Sequence, residues 1–66
     1  MKNTLKIHRA IHAITQEELA NAIGVSRQSI NAIESGKFVP STILALKFAR
    51  YFNVAVETLF ILEKRD

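Results

Sequence analysis

The sequence predicts an all-α domain of five short helices. The chain has 66 residues, enough for one domain. Apolar residues recur at intervals of three and four through most of it, and residues that cap helices stand between these stretches. With 48% hydrophobic and 23% charged residues, the chain is globular rather than disordered. A domain of this size buries only about 60% of the surface of its unfolded chain, so a second subunit would add stability.

The first predicted helix follows Thr4, whose hydroxyl can cap it, and runs to about Ala13. Leu5 lies on its inner side. Ile7 and Ile11 form an apolar pair one turn apart on the outer side. We expect another surface to cover this pair.

Residues 15–35 predict two short helices joined by a tight turn. Thr15 and Glu18 form a Thr-x-x-Glu capping box at the start of the first of them. Gly24 stands where that helix must end, because glycine adopts the left-handed backbone conformation at little cost. Ser26 can cap the next helix through its hydroxyl. The inner faces of the two helices carry Leu19, Ala20, Ile23, Ile30 and Ile33.

Two more helices are predicted after a loop over residues 36–40. Ser41 can cap a fourth helix that ends at Asn53, and a short fifth helix covers about residues 56–60. Val54 is an unfavourable residue at the expected cap of the fifth helix. The apolar surface of the fourth helix is assigned to Ile43, Leu44, Leu46, Ala49, Tyr51 and Phe52.

The outer face of the third helix carries Arg27, Gln28, Asn31 and Ser35, which are polar and mostly uncharged. Arg27 can make two hydrogen bonds to guanine, and Gln28 can make two to adenine, in the major groove of DNA. Asn31, one turn further on, can contact a base or a phosphate. Taken without its surroundings, the same set is more typical of an ordinary solvent-exposed helix face.

The complete pattern resembles the helix-turn-helix of the lambda and 434 repressor and Cro family, also called the xenobiotic-response-element type. In size and in its apolar tail the chain is similar to compact single-domain regulators related to the cytolysin repressor. The resemblance implies a lambda-repressor-like fold over residues 1–66, with the motif at about 15–35 and the recognition helix at about 26–35. The matched positions are Gln16, Leu19, Ala20, Gly24, Val25, Ser26, Ile30, Ile33, Glu34, Gly36, Lys37, Pro40, Ser41, Leu46, Ala49, Leu59 and Phe60.

The resemblance also implies contacts to double-stranded DNA. Ser26 would lie near the DNA backbone or a base edge. Gln16 would bind one phosphate through its side-chain amide together with the amides of the helix end. Ser35 and Lys37 would hold the opposite strand.

Two structural features are implied in the same way. Arg9 and Glu34 match an ion pair that joins the first helix to the end of the recognition helix in 434-like members; the alternative is two unrelated surface charges. The terminal segments Lys2-Asn3 and Ile61-Leu62 would form a short two-stranded antiparallel sheet.

A homodimer is expected, because one recognition helix reads too few base pairs to specify a site. A symmetric pair would place two half-sites about 34 Å apart. The dimerisation segment is assigned to residues 56–63, and the alternative is that Phe60 and Leu62 seal the core of their own subunit. The predicted interface consists of Phe60, Ile61, Leu62, Ile7 and Ile11.

Composition and spacing exclude several other classes. The chain has no cysteine, and His8 and His12, although one helical turn apart, lack further ligands, so we expect neither a metal nor a cofactor. No apolar run reaches the roughly 18 residues of a membrane span. The predicted protein is soluble and cytoplasmic. Its net charge of +3 suits a polyanionic partner, although an ordinary surface can also carry it.

The leading functional hypothesis is therefore a repressor that occupies a palindromic operator as a homodimer. The alternative is an antitoxin-type interaction module that also binds its own promoter; an added toxin-binding segment is not expected here. An enzyme is not predicted, because no nucleophile, base and orienting group form a constellation. No effector pocket for a small molecule is expected in a single domain of this kind.

Overall fold

A computed structural model describes residues 1–66 and confirms the all-α prediction, including the small terminal sheet. None of its helices has the length and hydropathy that crossing a bilayer requires. The elements in chain order are β1 (Lys2–Asn3), α1 (Leu5–Ile11), α2 (Gln16–Ile23), α3 (Arg27–Glu34), α4 (Thr42–Phe52), α5 (Val56–Leu59) and β2 (Phe60–Ile61).

Helix α1 differs from the prediction at both ends. The hydroxyl of Thr4 does not cap the helix but donates to the carbonyl of Thr58, at 2.8 Å. The side chain of Asn3 instead accepts a hydrogen bond from the first helical amide. The helix stops at Ile11 rather than at Ala13, because Ala13 adopts a left-handed backbone with φ of 54°.

Helices α2 and α3 form as their capping residues predict. The hydroxyl of Thr15 accepts from the amide of Glu18 at 3.0 Å, and the carboxylate of Glu18 accepts from the amide of Thr15 at 2.9 Å. Gly24 ends α2 with φ of 91° and ψ of 35°. The hydroxyl of Ser26 accepts from the amide of Ser29 at 3.1 Å, so α3 begins at Arg27.

The core combines side chains of all five helices and β2. One face of α4 was assigned wrongly from the sequence: Phe48 is fully buried on α4, whereas Ile43, Leu46 and Tyr51 are exposed by 70%, 54% and 41%. The apolar residues of α4 surround more than half of the helix, so they cannot all face inward. The buried residues are Leu5, Leu19, Ala20, Ile23, Ile30, Ile33, Phe48, Ala49, Phe52, Leu59 and Phe60.

The second strand of the terminal sheet begins one residue earlier than predicted, at Phe60 rather than at Ile61. Strand β1 pairs antiparallel with β2, so that Lys2 lies opposite Ile61 and Asn3 opposite Phe60. Leu62 therefore lies outside the strand. The cause is Phe60, whose ring enters the core and lies 6.1 Å from the ring of Phe48 between centroids.

The cap of the fifth helix lies one residue later than expected, at Ala55 rather than at Val54. Ala55 takes the cap position with an extended backbone and no side-chain hydrogen bond, while Val54 packs partly buried against the core. The helix then covers only Val56–Leu59. The packing of Val54 explains why an apolar residue stands where a capping hydroxyl was expected.

The chain ends are held together beyond the sheet. The amino group of Met1 lies 3.0 Å from a carboxylate oxygen of Glu63 and 3.2 Å from one of Asp66. Hydrogen bonds to Glu63 and then to Asp66 raise the pKa of this amino group. The backbone amide of Glu63 donates to Asp66 at 2.8 Å, and this bond is the main cause of the lowered pKa of Asp66.

Candidate nucleic-acid interface

Helix α3 presents a polar face that is free to bind. Arg27, Gln28 and Asn31 are exposed and, at spacings of three and four residues, share one side of the helix. Ile30 and Ile33, on the other side, are buried. Neither Arg27 nor Gln28 takes part in a side-chain hydrogen bond or ion pair. Their donors and acceptors are therefore available to a partner.

A partly buried ion pair fixes α3 against α1. Arg9 Nε lies 2.8 Å from Glu34 Oε2, and Arg9 Nη2 lies 3.3 Å from Glu34 Oε1. The side chain of Arg9 is 17% exposed and that of Glu34 is 5% exposed. The hydrogen bonds to Glu34 raise the pKa of Arg9, and Arg9 Nη1 also donates to the carbonyl of Ile14 at 3.0 Å. The pairing proposed from the resemblance is thus present as a contact.

Gln16 makes contacts that sequence reasoning missed. Its side-chain nitrogen donates to Glu34 Oε1 at 3.0 Å and to Asn31 Oδ1 at 3.3 Å. Both amide hydrogens are therefore paired within the protein, and a phosphate contact by this side chain stays a prediction. The backbone amides of Gln16 and Glu17, at the start of α2, have no acceptor in the protein.

An open groove of about 670 Å³ lies between the start of α2 and the start of α3. The first residues of α2 and Arg27 of α3 line the same depression. Its acidic member is Glu17, which is exposed. The groove is lined by Arg9, Ala13, Ile14, Thr15, Gln16, Glu17 and Arg27.

The remaining candidate contacts lie at the two ends of α3. Ser26 is exposed, but its hydroxyl is engaged in the cap and lies 2.9 Å from that of Ser29. Ser35 ends the helix and donates to the carbonyl of Ala32 at 3.1 Å. Lys37 is exposed in the loop that follows, without an ion pair.

The chain matches a known family over most of its length. Residues 5–59, most of the chain, match the helix-turn-helix family. The chain belongs to the Cro/C1-type helix-turn-helix family. Helices α2 and α3 both lie within the matched residues.

Several relatives share nearly the full length of this helix-turn-helix chain. It is 57% identical over 63 residues to an uncharacterized HTH-type transcriptional regulator of Methanocaldococcus jannaschii, with 96% of each chain covered. It is 44% identical over 66 residues to the HTH-type regulator YgzD of Bacillus subtilis, with both chains covered completely. A regulator of Archaeoglobus fulgidus is also 44% identical, and 94% of that protein is covered.

The two histidines of α1 have packing roles. The rings of His8 and His12 lie 5.8 Å and 5.1 Å from the ring of Phe52 between centroids. Their Nδ1 atoms lie 3.0 Å from the carbonyl oxygens of Thr4 and His8, respectively, which is within hydrogen-bond distance. No group of three or more His, Cys, Asp or Glu side chains is placed to hold a metal ion.

The proposed dimer residues fall into two groups. Phe60 is 9% exposed and belongs to the core of its own subunit, so its assignment to an interface is corrected. Ile7 and Ile11 on α1 are 59% and 69% exposed, and Ile61 and Leu62 in the tail are 42% and 76% exposed. These four remain available to a second subunit.

Proposed function

We propose that the protein is a sequence-specific DNA-binding regulator that represses transcription by occupying a palindromic operator as a homodimer. The observation that carries this proposal is the exposed polar face of α3, on which Arg27 and Gln28 have no partner, while Ile30 and Ile33 on the opposite face are buried in the core. An α-helix fits the major groove, where each base pair shows a distinct set of donors and acceptors. The family and its regulators support the same function.

Arg27 and Gln28 are the principal base readers in this proposal. Both lie in the first turn of α3, the part of a recognition helix that enters the groove. Arg27 donates to guanine O6 and N7, and Gln28 donates to and accepts from adenine N7 and N6. Asn31 contacts a base with its amide nitrogen, since its oxygen accepts from Gln16.

Phosphate contacts hold the reading helix in register. The free backbone amides of Gln16 and Glu17 bind one phosphate at the positive end of α2. Ser35 and Lys37 bind the backbone across the groove, and Ser26 lies close to the DNA at the start of α3. The side chain of Gln16 has a separate role. It donates hydrogen bonds to both Asn31 and the buried carboxylate of Glu34, and so holds Asn31 in position.

The dimer supplies the second half-site. Ile61 and Leu62, supported by Ile7 and Ile11, form the apolar contact in this proposal, since large exposed apolar side chains in a small domain mark interaction sites. A symmetric interface uses the same surface on both subunits, so the operator would be palindromic. Occupancy of such an operator blocks access to the promoter.

Selection of bound sequences from random double-stranded DNA tests the proposal. The wild-type chain should enrich a palindrome with half-site centres about 34 Å apart. Gln28→Ala should lose the preference at one position in each half-site and keep the others. The matched control Lys37→Ala should weaken binding to all sequences alike and lower the salt dependence by about 0.9 in log-log slope. Failure of the wild type to enrich any sequence would refute the proposal.

A further inference from the structure

The outward side of α4 combines large apolar side chains with cations and carries no acid. Ile43, Leu46 and Tyr51 are exposed by 70%, 54% and 41%. Lys47 and Arg50 are exposed and take part in no ion pair. Spacings of three and four residues place all five on neighbouring positions of the helix surface. They form one stripe along the length of α4.

A cleft adjoins this stripe near the carboxyl end of α4. It has a volume of about 340 Å³ and lies between α2 and α4, with Ala22 and Ile23 on one side and Lys47, Arg50 and Tyr51 on the other. Two aliphatic side chains thus form one wall, and two cationic groups and a phenol form the other. A large apolar side chain fits such a depression, with acidic neighbours beside the cations.

We propose that this α4 face, formed by Ile43, Leu46, Lys47, Arg50 and Tyr51 with Ala22, docks an acidic amphipathic helix of a partner protein. The apolar side chains of the partner cover Ile43 and Leu46 and enter the cleft. Its carboxylates lie beside Lys47 and Arg50, which have no acidic partner in their own chain. The proposal goes beyond DNA binding and does not depend on it.

Charge argues against a second copy of the chain as the occupant. A two-fold interface brings the same surface of both subunits together. Pairing the α4 face with itself would place Lys47 and Arg50 near the same two residues of the other subunit, with no carboxylate on either helix to compensate. Like charges opposed across an interface are unfavourable.

Composition argues against DNA as the occupant. Surfaces that bind the DNA backbone are polar and strongly cationic. Three of the five α4 residues are large and apolar, and Ile43 is among the most exposed of the large apolar side chains. Phosphates would leave these side chains in water, whereas an amphipathic helix covers them.

A synthetic amphipathic helix tests the proposal on the full chain. The probe is a peptide of about 15 residues with Leu on one stripe and Glu on both flanks. The two control peptides are the same peptide with Lys in place of Glu and a scrambled peptide of the same composition. We expect the acidic peptide alone to shift the backbone amide resonances of Ala22, Leu46 and Arg50. Lys47→Glu with Arg50→Glu should weaken this binding by about tenfold or more.

The control variant Lys6→Glu with Lys64→Glu makes the same change in net charge at exposed lysines without ion pairs, and it should alter the affinity by less than about twofold. Equal loss in both variants, equal binding of the scrambled or the Lys peptide, or shifts centred on α3 would overturn the proposal. So would an Ile43→Lys variant that is monomeric where the wild type is dimeric. If the charge reversal unfolds the chain, Lys47→Gln with Arg50→Gln provides the same comparison.

Discussion

The carboxylate of Glu34 joins three helices through hydrogen bonds. It accepts hydrogen bonds from Arg9 at 2.8 Å and 3.3 Å and from Gln16 at 3.0 Å. Since the Glu34 side chain is only 5% exposed, these bonds replace the water that the charge would otherwise need. One residue thereby connects α1, α2 and α3.

Removal of Arg9 alone should cost more stability than removal of the whole pair. Arg9→Met leaves the buried carboxylate of Glu34 without its charge partner, and we expect a loss of about 3 kcal/mol in the free energy of unfolding. The double variant Arg9→Met with Glu34→Leu should recover most of this loss, because no uncompensated charge remains. Urea denaturation of the three proteins measures both values. A double variant less stable than the single one would contradict this explanation.

Some of the individual residue positions and contacts could be predicted from the sequence, and others could not. The exposed positions of Arg27, Gln28 and Asn31 followed from the helical period, and the contact between Arg9 and Glu34 came from the resemblance. The contacts of Gln16 were missed, because they join residues 15 and 18 positions apart on different helices. Such contacts depend on the packing of α2 against α3, which no local pattern contains.

The elements of the motif depend on the turn between α2 and α3. Gly24 has a φ of 91° and no heavy atom within 4 Å of the position that a Cβ would take. A side chain here would therefore strain the backbone without meeting a steric clash. The sharp turn sets the angle at which α3 leaves α2 and hence the orientation of the reading face.

Gly24→Ala should lower the free energy of unfolding by about 1 to 2 kcal/mol through backbone conformation alone. Gly24→Asn should cost less, since Asn tolerates the left-handed conformation. Gly36→Ala, with φ of 81° and equally open space, provides a matched comparison outside the motif and should cost a similar amount. Thermal unfolding of the three variants measures the effect, and an unchanged melting temperature in Gly24→Ala would contradict it.

The contacts between the chain ends should be insensitive to pH near neutrality and weaken at both extremes. The pKa of the Met1 amine is raised from 8.0, so its contribution is complete below 8.0 and is lost as the pH rises through the raised value. The pKa of Asp66 is lowered from 3.8, so its contribution is complete above 3.8 and is lost as the pH falls through the lowered value. The amide resonance of Glu63, which donates to Asp66, reports both limits.

The variant Asp66→Asn is the control for this titration. It should reduce the acid shift of the Glu63 amide, because the acceptor of its hydrogen bond no longer titrates, while the alkaline transition of the Met1 amine persists. An acid shift of the same size in Asp66→Asn and in the wild type would assign the contact to another group.

Element boundaries were predictable where a cap defines them. Thr15, Gly24, Ser26 and Ser41 mark helix ends in both sequence and structure. The bounds of β2 differ by one residue from the prediction, because the burial of Phe60 in the core decides which residues pair. The inner face of α4 was wrong because apolar residues lie on several sides of that helix, and its period alone does not select one.

The whole molecule exposes more large apolar side chains than its fold requires. Those of the tail and α1 belong to the proposed dimer, and those of α4 to the proposed partner surface. These assignments make different predictions. The apolar side chains of the tail and α1 should control the oligomeric state, whereas those of α4 should not.

Ile61→Lys with Leu62→Lys should convert a dimer into a monomer. Two charges in an apolar contact would lose their hydration without gaining a partner. Sedimentation equilibrium measures the mass, and Ile43→Lys is the control that should remain dimeric, because Ile43 is also apolar and exposed but lies on α4. A dimeric double variant would remove the tail from the interface.

The central claim is that α3 reads DNA. The most direct test changes only the polar face of α3 and measures the affinity of this variant for the selected operator. Arg27→Ala with Gln28→Ala removes two exposed, unpaired side chains, so its melting temperature should match that of the wild type. Fluorescence anisotropy at fixed salt should show a loss of about 100-fold or more for the operator, with unrelated DNA affected far less. An affinity for the operator that stays within about twofold of the wild type would contradict the claim.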